Sequence, residues 1–255
     1  MKKTTVVLIA IIVAIATFLL TSALLPREAS APTTKNAPEG SVIIPMNIVS
    51  QREMSSSSPT ISIEYPQFPS LSAALNDEIA SATMSRLTEF RSNVADNEQA
   101  RQATASEYPS AAIPMSEYSF LASWQPAQIN SRYVSFVERY DSFSGGANEN
   151  EELQTFNFDI TANKDVALKD LFPSSPNYLN QVSQSAREQL ASTLAQSSDG
   201  NTPTEMIDGG TTPDAANFKN FTFTDYSVTF YFPKYAVAPG SFGEQKVDMP
   251  KSAVK

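Results

Sequence analysis

The period of apolar positions changes several times along this chain, and each change marks an element. From Thr155 to Ile160 the alternation is strict, with Phe156, Phe158 and Ile160 on one side and Thr155, Asn157 and Asp159 on the other. That period of two predicts a half-buried strand. The arm before it, Arg132 to Tyr140, is β-branched and aromatic on both faces and reads as a more central strand. Between the arms, Ser144-Gly145-Gly146-Ala147 gives the backbone freedom a reversal needs, so a long-looped hairpin is expected.

Upstream, Val42 to Val49 and the alternating Thr60 to Tyr65 predict two paired strands around a serine-rich turn, with Pro66 and Pro69 as stops. Leu71, Leu75, Ile79, Leu87 and Phe90 then recur at helical spacing behind a serine cap. This helix is expected to reach about Ser92, with a weaker continuation toward Ala105. Glu117 to Gln125 reads as a strand joined to the hairpin through Pro126–Asn130. Trp124 within it reads as packed against the helix rather than as a ligand platform. Downstream, a second helix is predicted to open at Ser174-Ser175-Pro176, with a stripe of Leu179, Val182, Ala186, Leu190 and Leu194. A loop from Pro203 to Pro213 leads into Phe218–Phe223, Val228–Phe232 and Glu244–Met249 as a last set of strands.

One run breaks both periods. Thr4 to Leu25 is an uncharged, mostly apolar stretch behind Lys2 and Lys3, and as a helix it would span about 33 Å. A cleaved signal peptide fits the same pattern. Two features favour retention: the run exceeds an ordinary signal core, and Pro32 follows the small-residue site Ala29-Ser30-Ala31. The lysines then place the N-terminus in the cytoplasm and the remainder outside the cell membrane. Pro26 to Gly40, rich in Pro, Ala and Thr, reads as a tether. The expected organisation is an anchor at 4–25, a tether at 26–41 and α+β domains at 42–163 and 164–251. Their sheets are mostly antiparallel, each packed by a helix.

Composition narrows the chemistry. Setting Lys2 and Lys3 aside from 18 basic residues leaves 16 against 27 acidic ones, a balance of −11 beyond the apolar run. Such a surface disfavours nucleic acid. Cysteine and histidine are both absent, which removes disulfides, thiolate metal sites and the usual neutral-pH proton shuttle. Glu149, Glu151, Glu152 and Asp159 lack the spacing of a calcium loop and read as a solvated charge run. Gly145-Gly146 lacks the spacing of a phosphate loop, and no Ser-x-x-Lys pair is present.

The residues also carry a resemblance. The tail from Asn217 through Phe230-Tyr231-Phe232-Pro233-Lys234-Tyr235-Ala236-Val237-Ala238-Pro239-Gly240 to Gly243 is similar to the C-terminal domain of the RsiV-like family. So is the order of Gly145-Gly146-Ala147, Phe156-Asn157-Phe158-Asp159 and Leu168-Lys169-Asp170-Leu171-Phe172 ahead of a helix. The part from about Val42 resembles the domain that precedes it there and in PdaC-type deacetylases. RsiV-like anti-sigma factors hold a sigma factor on the cytoplasmic side and sense lysozyme outside. Only Met1-Lys2-Lys3 precede the apolar run, so no sigma factor is expected as a partner. Where the family pattern often carries histidine, Asn148 stands.

What the resemblance implies is an anchored extracytoplasmic module that binds or senses a basic wall-active protein such as a lysozyme, or cell-wall glycan. No cofactor, no metal and no catalytic activity are expected. A structural envelope protein and a carboxylate-dependent glycan hydrolase are the alternatives. The candidate ligand-binding residues are Gly145, Gly146, Asn148, Tyr235 and Pro239, on the loops Asp141–Leu153 and Lys234–Gly243.

Overall fold

Alternating segments pair into a six-stranded sheet in the order β1 (Asn47–Glu53), β2 (Thr60–Gln67), β3 (Ser119–Ile129), β4 (Tyr133–Phe143), β5 (Asn150–Asp159) and β6 (Lys164–Asp165). This is a computed structural model, and it describes residues 44–53, 59–108, 117–146, 148–197 and 202–255. The expected membrane helix over 4–25 and the tether over 26–41 lie outside them, as does Ala147. Among the described residues no helix is long and apolar enough to cross a membrane.

β2 and β3 are parallel and every other pair in this sheet is antiparallel. Parallel neighbours need a crossover, and α1 (Ala73–Glu107) supplies it. Its cap is Ser72, whose Oγ accepts from the Leu75 amide at 3.3 Å. Leu75, Ile79, Leu87 and Phe90 press into the sheet against Ile61, Phe120 and Phe136. Trp124 packs edge-on to Phe136 in the same layer. β3 runs on through Pro126 to Ile129, where a connection was expected. A bulge between Pro126 and Gln128 absorbs the missing proline donor without ending the ladder.

The second sheet is an antiparallel meander of β7 (Phe221–Phe223), β8 (Ser227–Phe232) and β9 (Gln245–Pro250). It is covered by α2 (Tyr178–Ser197) through Val182, Ala186, Leu190 and Leu194. That helix begins later than its Ser-Ser-Pro signal suggests, because the Ser175 carbonyl accepts the Tyr178 amide in a turn. A short helix, α3 (Thr204–Gly210), occupies a stretch expected to be loop. Its end meets the following loop so closely that a Cβ on Gly210 would lie 2.1 Å from the Ala236 carbonyl oxygen.

β4 is buried on both faces. Val134, Phe136 and Tyr140 join the core under α1, while Ser135, Val137 and Arg139, at the alternate positions, belong to its other face. The second sheet is fastened to that other face through β7. Phe223 N donates to Ser135 Oγ at 2.9 Å, Ser135 Oγ donates to Asn157 Oδ1 at 2.7 Å, and Asn157 Nδ2 donates to the Phe221 carbonyl at 2.7 Å. Side chains of β4 and β5 thus satisfy the free edge of β7, which would otherwise be open. Glu39–Lys255 forms one compact unit.

Candidate functional site

The predicted loops fall at two places joined at their roots. Gly145 and Gly146 both adopt φ of +109°, a conformation glycine accepts readily. Asn97 of α1 pins the tip by donating to the Ser144 carbonyl at 2.8 Å, and Asn148 beyond it is exposed. Tyr235 lies in the turn after β8 at φ of +72° and is 65% exposed. Its ring lies where a Cβ on Gly240 would fall, 2.3 Å away, and Pro239 next to it is exposed. Lys234 Nζ reaches Glu151 Oε1 at 3.4 Å and ties the two loops together.

Between those roots lies a groove of about 320 Å³ lined by Arg139, Asp141, Glu151, Lys234, Glu244 and Lys246, among others. Arg139 and Lys246 pair with Glu244 at 3.0 and 3.4 Å, so most of the groove's charge is internally matched. Asp141 is the exception. Burial, then Glu151 and Glu149, push its carboxyl above the ordinary aspartate range. The acidic run itself is dispersed along β5: Glu152 pairs with Arg86, and Asp159 stands at the other end of the strand beside Arg132.

A larger cleft, about 530 Å³, escaped the sequence reading. Arg132, Tyr133, Asp159 and Lys164 line it from the end of the first sheet. Lys169, Asp170, Phe172, Ser175 and Tyr178 line it from the segment leading into α2. The turn at Asn163, with φ of +49°, presents Lys164; asparagine tolerates that conformation better than most residues. Both carboxylates are already engaged by backbone: Asp159 Oδ1 accepts the Ala162 amide at 2.8 Å and Asp170 Oδ2 the Ala167 amide at 3.0 Å. Among the described residues, no ion pair involves Lys164 or Lys169. Ser175 is 5% exposed, and its buried hydroxyl has no hydrogen-bond partner among the described residues. Phe172 and Tyr178 stack at 5.8 Å beside it. The Asn-Lys-Asp turn and the five-residue step between the lysines were the available signals.

A third group is buried beneath α1. Glu138 is 1% exposed; Tyr140 and Thr83 hydroxyls donate to its Oε2, and its Oε1 has no partner among the described residues. Burial pushes the carboxyl up to about 7, against the opposing pull of those hydrogen bonds and of Arg86. Neither the groove nor the cleft is lined by Glu138, so it belongs to the core.

Comparison with known proteins matches both halves. Residues 53–151 fit the family model described as deacetylase PdaC, and residues 169–252 fit that of a protein of unknown function, DUF3298. A PdaC-type domain precedes a DUF3298 domain. The chain is 29% identical over 122 residues to the peptidoglycan-N-acetylmuramic acid deacetylase PdaC of Bacillus subtilis, covering 48% of this chain and 25% of that protein. It is 26% identical over 133 residues to an esterase of Mycobacterium tuberculosis, covering 52% of this chain and 54% of that protein. The chain thus spans between a quarter and about half of these relatives.

Among solved structures, a DUF3298 family member from Bacteroides fragilis superimposes with a TM-score of 0.56 at 17% identity, over 83% of this chain and 92% of that one. A DUF3298 family protein from Pseudomonas aeruginosa gives 0.50 at 16%, over 83% and 94%. Both show the fold: α+β, rich in antiparallel sheet. The expectation of a chain without catalytic activity is corrected by the curated relatives, which are named as a deacetylase and an esterase.

Proposed function

We propose that this chain is a cell-wall-facing module that engages peptidoglycan-type material, held extracytoplasmically by the apolar run at 4–25. The 530 Å³ cleft carries the reading, because it gathers three cations against two carboxylates, a local excess of one positive charge, in a chain of formal charge −9. A concave site with a few convergent polar groups is the usual form of a small-ligand site. The matched deacetylase acts, by its name, on a polymer that contains N-acetylmuramic acid. Engagement of such a polymer is a step common to a binding protein and to a hydrolase.

A second reading, a basic wall-active protein such as a lysozyme held at Gly145, Gly146, Asn148, Tyr235 and Pro239, is favoured by the acidic neighbourhood that raises Asp141. Opposite charge speeds such encounters more than it tightens them. One experiment weighs both. The full chain is incubated at low salt with purified peptidoglycan sacculi, and separately titrated with lysozyme in a calorimeter. Co-sedimentation with sacculi is expected. A chain left wholly in the supernatant sinks the first reading, and lysozyme heat that vanishes at high salt then moves the second ahead.

A further inference from the structure

The 530 Å³ cleft holds more specific information than its volume. Its lining brings three cations, Arg132, Lys164 and Lys169, against two carboxylates, Asp159 and Asp170. Each carboxylate accepts a backbone amide, and Asp159 also has Arg132 at 4.0 Å. A backbone amide carries no formal charge, so Asp170 still offsets one cation, and the single positive charge left over is shared between the two lysines. The segment Ser174–Pro176 and Tyr178, at the start of the 20-residue α2, faces the same space. A helix start contributes a partial positive charge.

The second, independent observation is Ser175. Buried hydroxyls are almost always hydrogen-bonded, and this one is not. A group of that kind is destabilising until something pairs with it; Ser175 lines the cleft while its oxygen is closed to solvent, so a turn about its χ1 is what would bring the hydroxyl to an arriving ligand oxygen. Beside it, the stacked Phe172–Tyr178 pair provides an apolar wall of the sort that packs against a ring.

The geometry points to a carboxylate-binding site in this cleft, with Lys164 and Lys169 supplying the charge, Ser175 the hydroxyl donor and Phe172–Tyr178 the wall for a sugar ring. The ligand class is an acidic sugar of the muramic type. Naming that sugar rests on the wall-facing reading above; the carboxylate site itself does not.

The test uses the full chain and two monosaccharides, N-acetylmuramic acid and N-acetylglucosamine, which differ by the carboxylate-bearing lactyl group. Saturable binding of the acid, with none of the neutral sugar, is expected by calorimetry. Replacing both lysines (Lys164→Gln with Lys169→Gln) is expected to weaken binding of the acid at least tenfold. Ser175→Ala is expected to weaken it severalfold while leaving the melting temperature unchanged or higher, since an unpartnered hydroxyl is removed. Unchanged affinity in Ser175→Ala would instead remove this hydroxyl from the site. Equal binding of the two sugars, or full affinity in the lysine variant, overturns the site. Full affinity for N-acetyl-D-alanine overturns the sugar part of the assignment. Sacculus binding that survives the lysine exchange sinks this inference and spares the wall reading. Binding of the acid without sacculus binding does the reverse.

Discussion

A carboxyl group placed where Glu138 sits is costly in its ionised form. It lies among Phe136, Tyr140 and the α1 face, with one oxygen unpaired. Burial raises its pKa from 4.5 to about 7. The proton is therefore held more tightly in the folded chain than in the unfolded one. Below about pH 4.5 both states are protonated and the contribution to stability is full. As pH rises through 7 the unfolded chain ionises first, and on the order of 3 kcal/mol is lost. Glu138→Gln is expected to remove that slope, unfolding at higher urea than the parent at pH 8 and at the same urea at pH 4. Parallel pH profiles for parent and variant would refute the assignment. The reading of this arm as a more central strand agrees with its place inside the sheet, but it gave no reason to single out the charge at 138.

Elements were legible where their apolar pattern was long. The stripes of α1 and α2, the alternation of β5 and the short strands after Phe221 all come from residues whose spacing alone selects a period. The misses have physical causes. α3 has seven residues and one deeply buried anchor, Ile207, too few to display a period. Pro126 signals a break to any local rule, and only the partner strand shows that a bulge accommodates it. The parallel pairing of β2 with β3 depends on where α1 returns the chain, which no short window contains. Thr155 and Asn157 are the instructive error, since a polar strand face packed on a second domain reads like one facing water. Ser135 on β4 completes that polar face. Its hydroxyl accepts from Phe223 N and donates to Asn157. Ser135→Ala leaves a buried amide without an acceptor and is expected to cost about 1–3 kcal/mol. Urea unfolding reads this directly, and a change under a few tenths of a kcal/mol would show that the seam gains nothing from the bond.

At the scale of the whole molecule the question is whether two cores behave as one. The order of the two halves and their classes were readable from the chain; the seam between them was not, because it is built from scattered polar side chains. The cleft stayed hidden for a related reason: Arg132, Lys164 and Ser175 come from three segments that meet only in the folded chain. Across the seam run the Ser135–Asn157 network and the Tyr133–Phe223 edge contact at 5.2 Å. The Arg139–Glu244 pair, about four-fifths buried at 3.0 Å, and the Gln128–Asp225 bond at 2.8 Å add to these. Breaking the halves apart would leave the amide and carbonyl of Phe221 and the amide of Phe223 exposed along β7, together with the apolar surface of Val137. The seam thus raises the cost of unfolding either core alone, which is the condition for two-state behaviour. A single calorimetric transition is expected for Glu39–Lys255, with calorimetric and van't Hoff enthalpies in agreement. Combining Ser135→Ala with Asn157→Ala is expected to split it into two, because the edge of β7 then loses two of its three side-chain partners and keeps only Thr155. Two transitions in the unaltered chain would show that the cores are independent and that the seam is only a contact.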